Sequence, residues 1–159
     1  MIGPRGLALV KQYESLRLEA YLCPAGIPTV GYGHTHLVKL GGRCTEAEAD
    51  AMLAQDIAAC ESVLDYQVTV PLTESMRDAL LSLVYNLGGG NFRISTLRRR
   101  LNAQDYAGCP AEFRRWNKAR NPETGWLVAL DGLTARREAE AELFMADGLP
   151  GGASSTTGS

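Results

Sequence analysis

Glu14-Ser15-Leu16-Arg17-Leu18-Glu19-Ala20-Tyr21-Leu22-Cys23-Pro24-Ala25-Gly26-Ile27-Pro28-Thr29-Val30-Gly31-Tyr32-Gly33-His34-Thr35 is the stretch on which the fold turns. Leading into it, Leu7, Val10, Glu14 and Leu18 recur at helical spacing, with Leu9 and Tyr13 beside them. That periodicity predicts a first helix over residues 6–18, with Pro4 and Gly6 at its entrance. From Tyr21 to His36 the character changes. Pro24, Gly26, Pro28, Gly31 and Gly33 alternate with Thr29, Val30 and Tyr32, a mixture that predicts short strands and tight turns in a small antiparallel hairpin sheet.

Beyond this region the chain returns to helical patterns. Thr45-Glu46-Ala47-Glu48 has the form of a capping box, which opens a helix to about residue 64 with Met52, Leu53, Ile57 and Val63 at helical spacing. Thr73 opens another through Met76, Leu80, Leu83, Val84 and Leu87, stopped by Gly88-Gly89-Gly90. Shorter helices are expected over 95–101 and 106–116, then a hairpin or loop over 121–132, then a last helix over 133–145. The Gly/Ser/Thr-rich stretch 147–159 is expected to be a disordered tail behind one domain, 1–146. The order is helix, small β region, long helix, further helices: an α+β class with segregated elements. A long helix (45–64) between a β lobe (about 15–44) and a helical lobe (about 73–146, joined by the first helix) leaves a cleft between them, where ligands bind.

The composition narrows the function classes. At 159 residues the chain is expected to form one domain. A net charge of −2 lacks the basic footprint of a nucleic-acid binder. The longest apolar run, Ala79 to Tyr85, is far short of the ~18 residues of a membrane helix, so no membrane insertion is expected. The opening residues show no basic region, apolar core and cleavage site, so the expected location is the cytosol where the chain is made. Cys23, Cys44, Cys60 and Cys109 follow no zinc spacing and are expected to be reduced thiols there; neither metal nor cofactor is indicated. Trp116 and Trp126 are expected to be packing residues.

The opening stretch resembles the phage lysozymes (endolysins) of glycoside hydrolase family 24. Their signature is a Glu at the end of the first helix, an acidic residue on a strand, a Thr and then Gly-x-Gly-His. Glu14, Thr29, Gly31, Gly33 and His34 match at the family spacing. Gln55-Asp56, Tyr85-Asn86-Leu87-Gly88 and Gly132-Leu133 with Arg136-Arg137-Glu138 extend the resemblance over most of residues 6–146. It implies a lysozyme-like fold and hydrolysis of the β-1,4 bond between N-acetylmuramic acid and N-acetylglucosamine in peptidoglycan. It further implies an enzyme that waits in the cytoplasm until a holin opens the membrane; a monomer is the default expectation.

Glycosidic cleavage requires a proton donor for the leaving oxygen and a means of handling the anomeric carbon. The resemblance makes Glu14 the donor; a carboxyl set against apolar cleft surface has its charged form disfavoured, and Arg136 should approach and oppose part of that. Thr29 matches the water-binding threonine, against the plain alternative of a β-branched strand residue. Cys23 departs from the usual Asp, although cysteine also occurs there in the family. Three roles stay open for it: a base that positions water, a covalent nucleophile, or a filler. His34 is expected to pair with Asp56 and tie the lobes. Gly31 lets backbone pass close to sugar or forms the turn. Tyr85 and Asn86 line the cleft or serve as core and cap. Arg98-Arg99-Arg100 is a solvated face or an attractor of anionic wall polymers.

Two other classes compete. A glycan-binding module without turnover would follow if Cys23 marks a decayed site, though such a module has no need of a proton donor. A nucleic-acid-binding helical protein would rest on the Arg98 cluster alone, against the overall charge.

Overall fold

A computed structural model describes residues 1–151. The elements are α1 (Pro4–Glu14), β1 (Arg17–Leu22), β2 (Pro28–Gly31), α2 (Glu46–Gln67), α3 (Glu74–Leu87), α4 (Gly89–Ile94), α5 (Thr96–Asn102), α6 (Cys109–Arg114), β3 (Lys118–Arg120), β4 (Leu127–Ala129) and α7 (Asp131–Met145). The class is α+β, with a lysozyme-like arrangement of helices and two small antiparallel ribbons.

The first helix differs from the sequence expectation at both ends. It starts at Pro4, because a proline at the first position lacks only an N–H that would be orphaned anyway. The buried Asp78 carboxylate then accepts the Gly3 and Gly6 N–H groups at 2.7 and 3.0 Å. It stops at Glu14, not at residue 18, because Ser15 takes φ 57° and turns the chain into β1. The helical spacing of Leu18 is therefore fortuitous: it lies on a strand and is 40% exposed. β1 and β2 pair antiparallel through Tyr21 and Thr29, with a register irregularity between Arg17 and Tyr21.

α2 begins where its capping box predicts: Thr45 Oγ1 accepts from Glu48 N and Glu48 Oε2 from Thr45 N. α3 ends at the glycine run as expected, with Gly88 as its C-cap, but a further short helix follows that the sequence does not announce. Gly88, at φ +87°, redirects the chain and α4 restarts at once, which places Phe92 in the core. α6 is shorter than expected, since Tyr106 lies outside it and donates to Pro71 O. β3 and β4 form the predicted hairpin, and α7 starts two residues early, at Asp131.

Two apolar clusters result. The larger, centred on α3, holds Met76, Leu80, Leu83, Phe92, Leu97, Phe113 and Phe144. The smaller joins Val10 of α1, Tyr32 and the first half of α2 through Ala49, Leu53 and Ile57. Trp116 packs at the edge of the larger cluster, but Trp126 does not pack: it stands on the β3–β4 hairpin, 75% exposed. Among the described residues no helix is long and apolar enough to cross a membrane.

Of the stretch expected to be a tail, residues 147–151 are described and 152–159 lie outside the described residues. Asp147 takes both Arg5 guanidinium nitrogens (2.9 and 2.8 Å) and the Ser75 N–H (3.0 Å). Arg5 chiefly, then the Ser75 backbone, hold its carboxyl at about 2, below the ordinary 3.8. A carboxyl lowered on folding stabilises fully above its unfolded pKa and loses that contribution as the pH falls through its folded one. The expected result is a thermal midpoint that falls between about pH 4 and pH 2, less steeply in Asp147→Asn than in wild type. Thermal melts of both proteins across that window check it.

Candidate active site

Glu14 ends α1, so its carboxylate is delivered where the helix gives way to the β lobe. One of its oxygens, Oε1, accepts from Arg136 Nη1 at 2.6 Å. The other faces Gly33: a Cβ built on that glycine would lie 3.4 Å from Glu14 Oε2 and 3.9 Å from Tyr85 Oη. At φ +93° this backbone also excludes ordinary side chains, so Gly33 leaves the second carboxylate oxygen open.

Arg136 is buried, with 3% of its side chain exposed, whereas Glu14 keeps 19%. It also donates to Glu140 Oε1 (3.2 Å) and Ser82 O (3.1 Å), and its guanidinium lies 5.9 Å from the Tyr13 ring. Glu140 gives its second oxygen to Arg137 Nη1 at 2.5 Å and takes the Ser82 hydroxyl at 2.7 Å. Arg137 finishes its inventory on Trp116 O and Asn86 Oδ1. Burial pushes the Glu140 carboxyl up and the Arg137 guanidinium down, and their pairing opposes both. Sequence reasoning passed over Glu140 and Ser82. The signal for Glu140 was its spacing, three and four residues after two arginines on one helix.

Cys23 follows β1, and Thr29 sits buried on β2. The Thr29 hydroxyl donates to Ile27 O at 2.9 Å. The turn between the strands is closed by Cys23 N to Ile27 O and Gly26 N to Cys23 O. Of the four free cysteines, Cys23 alone has its thiol lowered, first by a backbone hydrogen bond at Ile27, then at Ala25, and by the Thr29 hydroxyl. Burial pushes Cys44 up, Cys60 to about 11 and Cys109 to about 12. Of the four thiols, the one in the β turn is thus the only one shifted toward easier ionisation.

The remaining sequence candidates hold the lobes together. His34 Nδ1 lies 2.8 Å from Asp56 Oδ2 on α2. Tyr85 Oη donates to Tyr32 O at 2.6 Å, and burial raises its pKa above the ordinary range. Gly31 is buried against α2, where a Cβ would come within 3.3 Å of Ala49 Cβ, so it faces packing and not sugar. Asn86 is exposed, with its oxygen committed to Arg137. The Arg98 cluster is partly structural: Arg98 donates to Gln67 O and Arg100 pairs with Asp105. A recess of about 450 Å³ behind β2, lined by Val30, His34 and Met52, does not include Glu14, Cys23 or Thr29.

The sequence matches the phage lysozyme family over residues 11–140. An endolysin of Acyrthosiphon pisum secondary endosymbiont phage 1 is 48% identical over 143 residues, which are 90% of this chain and 97% of that protein. A SAR-endolysin of Enterobacteria phage P21 is 41% identical over 121 residues, 76% of this chain and 70% of that one. Among solved structures, the muramidase domain of SpmX from Asticaccaulis excentricus superposes with a TM-score of 0.86 at 33% identity, covering 91% of this chain and 97% of that one. An endolysin from Escherichia coli O157:H7 phage FAHEc1 gives a TM-score of 0.84 at 34% identity, covering 94% and 96%. Fold and comparisons together define the class, a lysozyme-type glycosidase. The chain belongs to the phage lysozyme family.

Removing one member of a buried ion pair leaves the other charge uncompensated, at a cost of about 3–5 kcal/mol. Glu140→Ala, which strands Arg137, is expected to lose that much stability and roughly 10 °C of thermal midpoint. Chemical denaturation and a thermal melt of the variant check it.

Proposed function

We propose that this peptidoglycan-degrading endolysin hydrolyses the β-1,4 bond between N-acetylmuramic acid and N-acetylglucosamine, with Glu14 as general acid and with Cys23 and Thr29 directing the attacking water. The observation that carries the assignment is the asymmetric hold on Glu14: a buried arginine fixes Oε1 while Oε2 stays open beside Gly33. That oxygen gives its proton to the leaving glycosidic oxygen as the bond to the anomeric carbon breaks. The water that adds to the anomeric carbon passes its proton to the Cys23 sulfur, while the Thr29 oxygen orients it. Exchange with solvent then restores both groups. Arg136 is a positioning residue, too buried to meet sugar.

The same lowered thiol fits a covalent nucleophile, which attacks the anomeric carbon itself and yields a product of retained configuration. The anomer formed first separates the two: direct attack by water inverts it.

Release belongs to the proposal as well. The enzyme meets the wall when a holin opens the inner membrane. Host cells expressing the enzyme alone are expected to stay intact and to lyse on co-expression of a holin. Lysis by the enzyme alone would overturn this part.

Clearing of outer-membrane-permeabilised Gram-negative cells tests the chemistry. Glu14→Gln is expected to lower the rate at least about 100-fold, since general acid catalysis contributes about 10²–10⁴. If the thiolate is needed, wild-type activity rises with pH as Cys23 ionises, alkylation abolishes it, and Cys23→Ala loses it. Cys23→Asp then restores clearing, with the rising limb moved toward the carboxylate range. An alkylation-insensitive enzyme, with an unchanged pH profile in Cys23→Ala, would remove Cys23 from the mechanism. A wild-type protein that binds sacculi without clearing cells would restore the binding-module reading.

A further inference from the structure

The charge of the chain is strongly segregated. Eight of its sixteen Lys and Arg residues lie between positions 93 and 120, against two acids, Asp105 and Glu112. That segment carries +6 in a chain whose total is −2. Arg100, Arg114 and Arg115 pair with Asp105, Glu138 and Glu112. Arg93, Arg98, Arg99, Lys118 and Arg120 have no acidic partner among the described residues; Arg98 and Arg120 satisfy carbonyls instead.

Lys118 and Arg120 of this segment lie on the β3–β4 ribbon, opposite Ala129 and Leu127, and the segment and its ribbon are apolar where they project. Ile94, 70% exposed, lines one shallow groove with Arg115 and Trp116. Two residues beyond Trp116 the β3–β4 ribbon leaves the body. Trp126, Leu127, Val128 and Leu130 on it are 75%, 61%, 43% and 45% exposed. Successive strand residues point to opposite faces, so exposure of both Leu127 and Val128 means that neither face of the ribbon is covered.

We propose that this face docks on a bilayer of anionic phospholipid, with the ribbon lying in the headgroup region. Two features favour lipid over glycan. A sugar ring stacks on one aromatic face and leaves the other side of a ribbon wet, whereas an interfacial medium surrounds both. Leu127 and Val128 offer hydrophobic burial that a polyhydroxylated strand does not use. Tryptophan suits the boundary between headgroup and acyl chain, and the unpartnered cations supply attraction to anionic lipid. Glu123, the acid of the turn, keeps the tip out of the acyl layer, so the ribbon lies flat. The ribbon is rooted on the start of α7, with Leu130 N on Asn117 O and Asn117 Nδ2 on Thr134 Oγ1.

The test is cosedimentation of the full chain with vesicles of equal phosphatidylglycerol and phosphatidylcholine, against pure phosphatidylcholine. Binding is expected to the anionic vesicles only and to weaken as salt rises. Arg93→Ser with Lys118→Ser should lower affinity about 20-fold, and Trp126→Ser with Leu127→Ser at least 10-fold. Both double variants should keep wild-type hydrolysis of soluble glycan fragments, which also shows that they fold. In Trp116→Phe, the remaining tryptophan should blue-shift on anionic vesicles. Equal binding to neutral vesicles, or no binding to anionic ones, overturns the proposal whatever the variants do. If the variants instead lose binding to lipid-free sacculi and keep vesicle binding, the surface belongs to the glycan.

Discussion

The structure depends on one guanidinium. Arg136 sits on α7, the last helix, and grips Glu14 at the end of the first one while holding the Ser82 carbonyl of α3 and the Glu140 carboxylate. A buried arginine cannot shed its charge, so every one of its donors must find an acceptor. That demand fixes the relative position of three helices far apart in sequence. Glu140 is shared with Arg137, which in turn reaches Asn86 and the Trp116 carbonyl. The charges under the Glu14 carboxylate are therefore also the polar core of the helical lobe. Precision in placing Glu14 and stability of that lobe are one property.

The β lobe is attached with comparable economy. Its strands bury little, since β1 is mostly exposed, and by itself a two-stranded ribbon is marginal in water. Contacts with the helices give it a fixed position: Gly31 against Ala49, His34 on Asp56 and the Tyr85 hydroxyl on the Tyr32 carbonyl. All three fall within four residues of β2 and the turn that follows. Thr29 lies just upstream, so the strand that carries its hydroxyl is clamped while the Cys23 turn stays open to solvent.

Much of this was legible in the sequence where a local rule governs. The capping box at Thr45 and Glu48 reads correctly because both partners lie within one turn. The Glu14-to-His34 pattern reads correctly because it encodes a helix end followed by a strand and turn. Local rules failed where a distant group decides. Leu18 keeps helical spacing, yet Ser15 breaks the helix ahead of it. The true start of α1 is set by Asp78, more than seventy residues away. Gly88 ends α3 as its residue type implies, but the short α4 that follows and buries Phe92 has no local signal. Trp126 was assigned to packing by its residue type, and only the uncovered ribbon shows otherwise. Cys23 was visible as an anomaly, but the hydrogen bonds of its own turn, which lower the thiol, depend on a turn geometry that the residue types do not specify.

The pairing of Glu14 with Arg136 spans 122 positions of sequence. During synthesis Glu14 leaves the ribosome early and its partner leaves near the end. A nascent chain halted before α7 holds the residues of α1 and of the β lobe, but no guanidinium to meet the Glu14 carboxylate and no Glu140 to accept the Ser82 hydroxyl of α3. Such a fragment carries the carboxylate without the contacts that fix it. The order of the helices thus leaves this pair unformed until translation is nearly finished.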